Sequence, residues 1–315
     1  MNILTERFLD YALGMAQAAG AGAIVVYADV FQDKAHLKDF MGRAGKVKVV
    51  LVARSGRDLP DPLDADVVKV PDVKLTRLGQ IKVAVLLGLC RGIFHEGDTL
   101  VCLTGVAMTG EVDGLMLTEV GSEYELFSSG DASDIAAGMS PEVLERIIDI
   151  SVALGNYGRE GKAVGTTFVL GDTDSVLEYC EPLLLNPFHG YPPEQRNILE
   201  VAVTETVKEF STIDGAFIVR ENGVVEAAGM FLRTEARNVV IPRGLGARHK
   251  SAAAITALTK AVAVTVSESS GNVSVFHEGA VVFEIENPHL VGVSGGAPPE
   301  VPSLPESAGS LEEQA

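Results

Sequence analysis

The chain has 315 residues, 47% of them hydrophobic, which is material for two buried cores at roughly 100–200 residues per domain. Its 43 Asp and Glu against 25 Lys and Arg leave a net charge of −18, which repels phosphate backbones and anionic membranes and fits a salt-rich cytoplasm or an ordinary acidic protein. No run of 18 apolar residues marks a membrane span, MNILTERFLD lacks the basic start of a signal peptide, and Cys90, Cys102 and Cys180 are too scattered for a disulfide framework or a zinc site. The three cysteines read as buried thiols in a reducing cytoplasm.

Residues 2–19 carry Phe8, Leu9, Tyr11, Ala12, Met15 and Ala16 at near-helical spacing. AIVVYA (23–28) and VKVVLVAR (47–54) read as strands, with a helix ending at Gly45 between them, and DVVKVP (66–71) follows. Residues 75–92 form an amphipathic helical pattern, and 98–105 and 114–120 are two further strands. Strands alternating with helices predict a mainly parallel α/β sheet in a first domain, residues 1–130.

From Ser128 the composition turns to Ser, Asp and Gly, which places the domain boundary at about 125–138. Ser140 as cap, Pro141 at the first helical position and early Glu142 and Glu145 predict a helix to about Leu154. Beyond it the pattern predicts a strand (166–171), a helix (175–183), an irregular NPFHGYPPEQ stretch and a helix (195–210). A strand pair follows, turning at Glu221-Asn222-Gly223, because Asn-Gly readily adopts positive φ. A helix near 248–260, VAVTVSE (262–268) and a hairpin turning at Glu278-Gly279 complete a mixed-sheet α/β domain, residues 138–292. The tail, 295–315, is rich in Pro, Ser, Gly and Glu and is expected to be disordered.

Three segments carry chemistry. In Asp214-Gly215-Ala216 the acid suits a divalent metal or a hydroxyl proton, and the glycine admits a ligand close to the backbone; alone, Asp-Gly is ordinarily a turn. The segment Pro242 to Ser251 is a glycine-rich loop running into a helix with an Ile255, Leu258, Val262 stripe. Free amides and the helix dipole there favour phosphate, and Arg248, His249 and Lys250 add donors; a solvated basic turn is the alternative. In Val266 to Gly271, Ser267 suits a base edge and Glu268 a metal, or the segment is a polar hairpin turn.

Taken together, these segments resemble the diadenylate cyclase (DAC) family, marked by Asp-Gly-Ala and, about 30–35 residues later, Arg-His-Arg; Asp214 and Arg248 are 34 positions apart. GREGKAVGTTFVLGD (158–172), LLLNPFHGY (183–191), EFSTIDGAFIV (209–219) and VTVSESSGNVSV (264–275) are similar to family segments in the family's order, over residues 140–288. The resemblance implies two ATP joined into cyclic di-AMP between two facing copies, with Mn²⁺ or Mg²⁺ on Asp214 and Glu268. It implies catalytic roles for Asp214, Arg248 and His249. It implies ATP contacts at Gly215, Ala216, Leu232, Gly246, Arg248, His249, Lys250, Ser251 and Ser267; the acidic charge and the lack of an apolar span argue for no nucleic-acid or membrane partner. Lys250 stands where the family has Arg, Ala247 where many members have Thr, and Ser269 replaces a second acid. The first domain, with LTGVAMTGEVDGLMLTEVG, is similar to the C-terminal domain of pyruvate kinase found in an archaeal DAC subtype, which implies a regulatory or oligomerising module. A non-catalytic adenine-nucleotide sensor on the same fold is the rival, and Asp214 speaks against it.

Overall fold

The computed structural model describes residues 1–55, 65–105, 109–121, 139–233 and 246–288; the expected boundary at 125–138 and the tail from 295 both lie outside them. Helix α1 (Ile3–Ala19) opens where the Asn2 side chain accepts the Leu4 N–H and ends at Gly20, whose φ of 63° is the left-handed turn that glycine takes readily. Then come β1 (Ala23–Tyr27), α2 (Lys34–Ala44), β2 (Lys48–Arg54), β3 (Asp66–Val70), α3 (Arg77–Cys90), β4 (Thr99–Thr104) and β5 (Gly114–Glu119). The sheet order is β3-β2-β1-β4-β5. The first four strands run parallel, and β5 returns antiparallel along β4. Along β1, Ile24 and Val26 face the core under α1 and α2, while Ala23 and Val25 face the core under α3. Both faces are covered, so the inner strands β1, β2 and β4 are nearly continuously buried instead of alternating, unlike the edge strands β3 and β5.

The second part contains α4 (Pro141–Tyr157), β6 (Thr166–Leu170), α5 (Thr173–Leu177), β7 (Cys180–Pro182), α6 (Val201–Phe210), β8 (Ala216–Val219), β9 (Val225–Leu232), α7 (Ala247–Leu258), β10 (Val262–Val266), β11 (Val273–His277) and β12 (Ala280–Ile285). Its sheet runs β12-β11-β10-β6-β8-β9-β7 and is mixed: β6 and β8 are parallel, while the other pairs are antiparallel. Both expected hairpin turns form, with Gly223 at φ 89° and Glu278-Gly279 at φ 48° and 81°.

Three local expectations are corrected. The helix expected over 175–183 stops at Leu177, because Cys180–Pro182 pair with Met230–Leu232 as an edge strand. The helix expected from 195 starts at Val201, because Asn197 caps the Leu199 N–H and binds the Asn222 carbonyl of the hairpin turn instead. Ser140 sits at the N-cap of α4, but its hydroxyl donates to Glu142 and caps no amide. Of the three thiols, Cys90 and Cys102 are buried and Cys180 is half-buried.

The two sheets share a core. Ile147 and Ile148 of α4 belong to the same apolar cluster as Leu86 of α3 and Val68 of β3. Polar ties cross the same seam: Arg91 pairs with Glu145, Ser55 Oγ donates to Asp149 Oδ2 (2.8 Å), and Lys82 Nζ donates to the Glu284 carbonyl (3.4 Å).

Candidate active site

An open cleft of about 2050 Å³, mouth included, lies where β8 begins, β9 and β10 end and α7 starts. Asp214, Gly215, Ala216, Leu232, Gly246, Arg248, His249, Ser251, Ser267 and Glu268 all line it, although they come from four separate segments. Lys250, the remaining expected ATP contact, is exposed on α7 and is not among the lining residues. One helical turn points successive side chains about 100° apart, so Arg248 and Ser251 share a face that Lys250 does not.

Arg248 is the centre of the geometry. Its Nη2 donates to Asp214 Oδ1 at 3.1 Å, and its Nη1 donates to Glu268 Oε2 at 3.0 Å. A planar guanidinium can hold two acids from different strands at once, which a lysine ammonium cannot do with the same fixed geometry. The space beneath it depends on Gly165: a Cβ there would lie 2.6 Å from Arg248 Nη1 and 2.8 Å from Glu268 Cβ. Gly215, at φ 109°, allows the other close approach, since a Cβ would meet the backbone of Gly229 and Met230 at 2.5–2.7 Å.

The cleft also receives the start of α7. Gly246 is its N-cap, no side chain caps the first turn, and no acid lies within it, so free amides and the positive end of the dipole face the cleft. His249 is buried, edge-on to the Phe276 ring at 5.8 Å. Burial lowers its pKa, Glu284 opposes this and Arg248 adds to it. His249 is therefore a neutral donor at neutral pH, and Arg248 supplies the charge.

The opposite wall is apolar. Phe231 and Leu183 are each about half exposed (50% and 53%), beside Met230 and Leu232, and offer flat hydrophobic surface of the kind a purine base covers. Ser267 accepts the Ser270 N–H (3.3 Å) and lies 3.3 Å from the Ser269 hydroxyl, which holds the turn after β10. Sequence reasoning missed Gly165, Leu183, Phe231, Asn272 and Glu284. Of these, Gly165, Leu183 and Asn272 lie within segments already notable for their motifs, and Phe231 is an exposed apolar residue on a largely buried strand.

No cluster of three metal-ligating side chains occurs among the described residues. Asp214 and Glu268 are two hard oxygen donors brought to one guanidinium, which fits a Mg²⁺-type ion that completes its shell with phosphate oxygens and water.

Residues 153–281 match the family model described as DisA bacterial checkpoint controller nucleotide-binding, and residues 4–127 match one described as a probable sensor domain, DacZ_P, not a pyruvate kinase domain. The chain is 42% identical over 201 residues to a diadenylate cyclase of Methanocaldococcus jannaschii, covering 62% of each chain. It is 34% identical over 204 residues to a diadenylate cyclase of Haloferax volcanii, covering 62% of this chain and 71% of that one. A double mutant of DacA from Staphylococcus aureus aligns over 48% of this chain and 90% of its own at 21% identity, with a TM-score of 0.31, too low to bear on the fold. The ordered motifs, the cleft they line and these relatives place the chain in the diadenylate cyclase family.

Proposed function

We propose that the chain condenses two ATP into cyclic di-AMP and two pyrophosphates, one ATP held per protomer and two protomers facing. The observation that carries the reading is Arg248 lying between Asp214 and Glu268 at the amide end of α7. A bound triphosphate needs a fixed cation, free amides and acids for its metal, and this cleft offers all three. The adenine lies along Phe231, Leu232 and Leu183, with Ser267 at its edge. Arg248 exchanges its carboxylate partners for phosphate oxygens, and neutral His249 donates to them. Asp214, with Glu268, would hold Mn²⁺ or Mg²⁺, whose charge offsets that of the triphosphate.

The ribose 3′-oxygen of one ATP attacks the α-phosphorus of the other, and Asp214 takes up the hydroxyl proton. The bond from the α-phosphorus to the bridging oxygen breaks, and pyrophosphate leaves. The same exchange with the roles reversed closes the ring. Each protomer contributes positioning and charge stabilisation, worth several kcal/mol in general. Two half-sites require at least a two-fold dimer. The first domain regulates or assembles these pairs; its β–α alternation supports the likeness to the C-terminal domain of pyruvate kinase, and the place of action is the cytoplasm.

The test is pure protein with ATP and Mn²⁺, Mg²⁺ or Co²⁺, and products identified by mass. Cyclic di-AMP and pyrophosphate are expected, with GTP a poor substrate. ADP alone, or no product with any of the three metals, excludes a cyclase.

A further inference from the structure

The first domain has a cleft of its own, with all four parallel strands ending at it. Tyr27, Arg54 and Thr104 are the last residues of β1, β2 and β4, and Pro71 follows β3; all four line the cleft. The strand order reverses direction between β1 and β4, and the C-terminal side of such a switch point is where open α/β sheets form ligand crevices. The cleft measures about 450 Å³ with its mouth.

Its lining includes buried donors lacking acceptors. Arg54 is 5% exposed; its Nη2 holds Asp29 (3.0 Å) and its Nε lies 3.6 Å from Asp72, while its Nη1 is buried without a partner. The Tyr27 hydroxyl is likewise buried and unpartnered. Leaving a buried donor without an acceptor is unfavourable, so two in one cleft fit a site shaped for an acceptor oxygen. With Asp29 and Asp72 already on Arg54, a dianion would add to an acidic surround, and a group carrying its own balancing positive charge would not. Asp29 and Glu111 line the same cleft as partners for that positive charge, and Val30, Leu103 and Val112 supply an aliphatic wall.

We propose that this cleft binds a small aliphatic α-amino acid, its carboxylate on Arg54 and Tyr27 and its ammonium towards Asp29. Helix α3 connects it to the nucleotide cleft. Gln80 lines the first cleft and holds the Gly105 carbonyl at 2.7 Å, and two residues on, Lys82 binds the backbone of Glu284, a lining residue of the second. The amino acid thereby acts as an effector of nucleotide binding, a consequence that rests on the nucleotide reading of the second cleft.

The test uses the full chain and calorimetric titration with alanine, valine and leucine, against acetate and inorganic phosphate, without turnover. At least one of the amino acids binds, and more tightly than acetate or phosphate. Tyr27→Phe removes only an unpartnered hydroxyl, so it leaves the melting temperature of the free protein unchanged or raised while weakening the amino acid roughly two- to tenfold. Saturating amino acid shifts the ATP dissociation constant by a factor of about three or more in the unsubstituted chain. Binding by none of the three, binding of acetate or phosphate equal to theirs, or unchanged binding in Tyr27→Phe overturns the site. An ATP affinity that does not respond to bound amino acid overturns the effector role alone.

Discussion

Asp214 presents a side chain 87% exposed to the cleft and pairs with Arg248. Asp214→Asn keeps the shape and removes the charge, so ATP binding is expected to persist within roughly tenfold while turnover falls by roughly two to four orders of magnitude. Near-normal turnover in single-turnover assays would remove Asp214 from the chemistry. Gly165 acts on the same centre from beneath. Gly165→Ala pushes a methyl group against Arg248 and Glu268, so ATP affinity is expected to drop roughly tenfold or more by titration calorimetry, with the melting temperature little changed. Unaltered affinity would mean that Arg248 does not need its observed position. The Asp214, Arg248 and Glu268 meeting is half legible in the sequence: the motifs name the residues, but only the sheet order, with β6 between β8 and β10, brings them to one cleft. Gly165 is not legible as a positioning residue, because its role is the space left by an absent side chain.

At the scale of elements, local signals predict what local chemistry decides. The two hairpins are legible because Gly223 in one, and Glu278 and Gly279 in the other, hold the positive φ their turns need. The first sheet is legible from its apolar runs alone. The short β7 is not, since Cys180–Pro182 have a strand partner only through pairing with β9, nearly 50 residues away. Helix α4 carries a pH-dependent element at the seam. Burial raises the Asp149 carboxyl to about 6 from an ordinary 3.8; the Ser55 hydroxyl opposes this and Glu145 adds to it. Its folded pKa exceeds its unfolded one, so the folded state holds the proton more tightly. Stability from this group is therefore present at low pH and is lost as pH rises from about 4 to about 6, in total ~3 kcal/mol. Asp149→Asn should remove this slope between pH 4 and pH 6 in denaturant titrations and leave the chain at least as stable at pH 7. An unchanged slope would place the proton elsewhere.

At the scale of the whole molecule, the proposed chemistry needs two copies. Mixing Asp214→Asn with Arg248→Ala chains should leave activity well below that of the unsubstituted protein, because every facing pair still contains two damaged halves. Specific activity should stay flat on dilution while ultracentrifugation shows a dimer or larger, and should fall once the assembly dissociates. A monomer with concentration-independent activity would rule out paired half-sites. The shared core of α3 and α4 further predicts one cooperative thermal transition for both sheets, not two. Calorimetry resolving two separate peaks would contradict a continuous core.

That core also sets the order of events during synthesis. The first sheet and α3 leave the ribosome before α4, yet the outer side of α3 is completed by Ile147 and Ile148, which lie beyond β5 in the chain. At about 5–20 residues per second, an apolar helix face waits several seconds for its cover. The nascent first half is thus a client for chaperones until α4 emerges, and a ribosome stalled after β5 would hold a bound chaperone that one stalled past α4 has released.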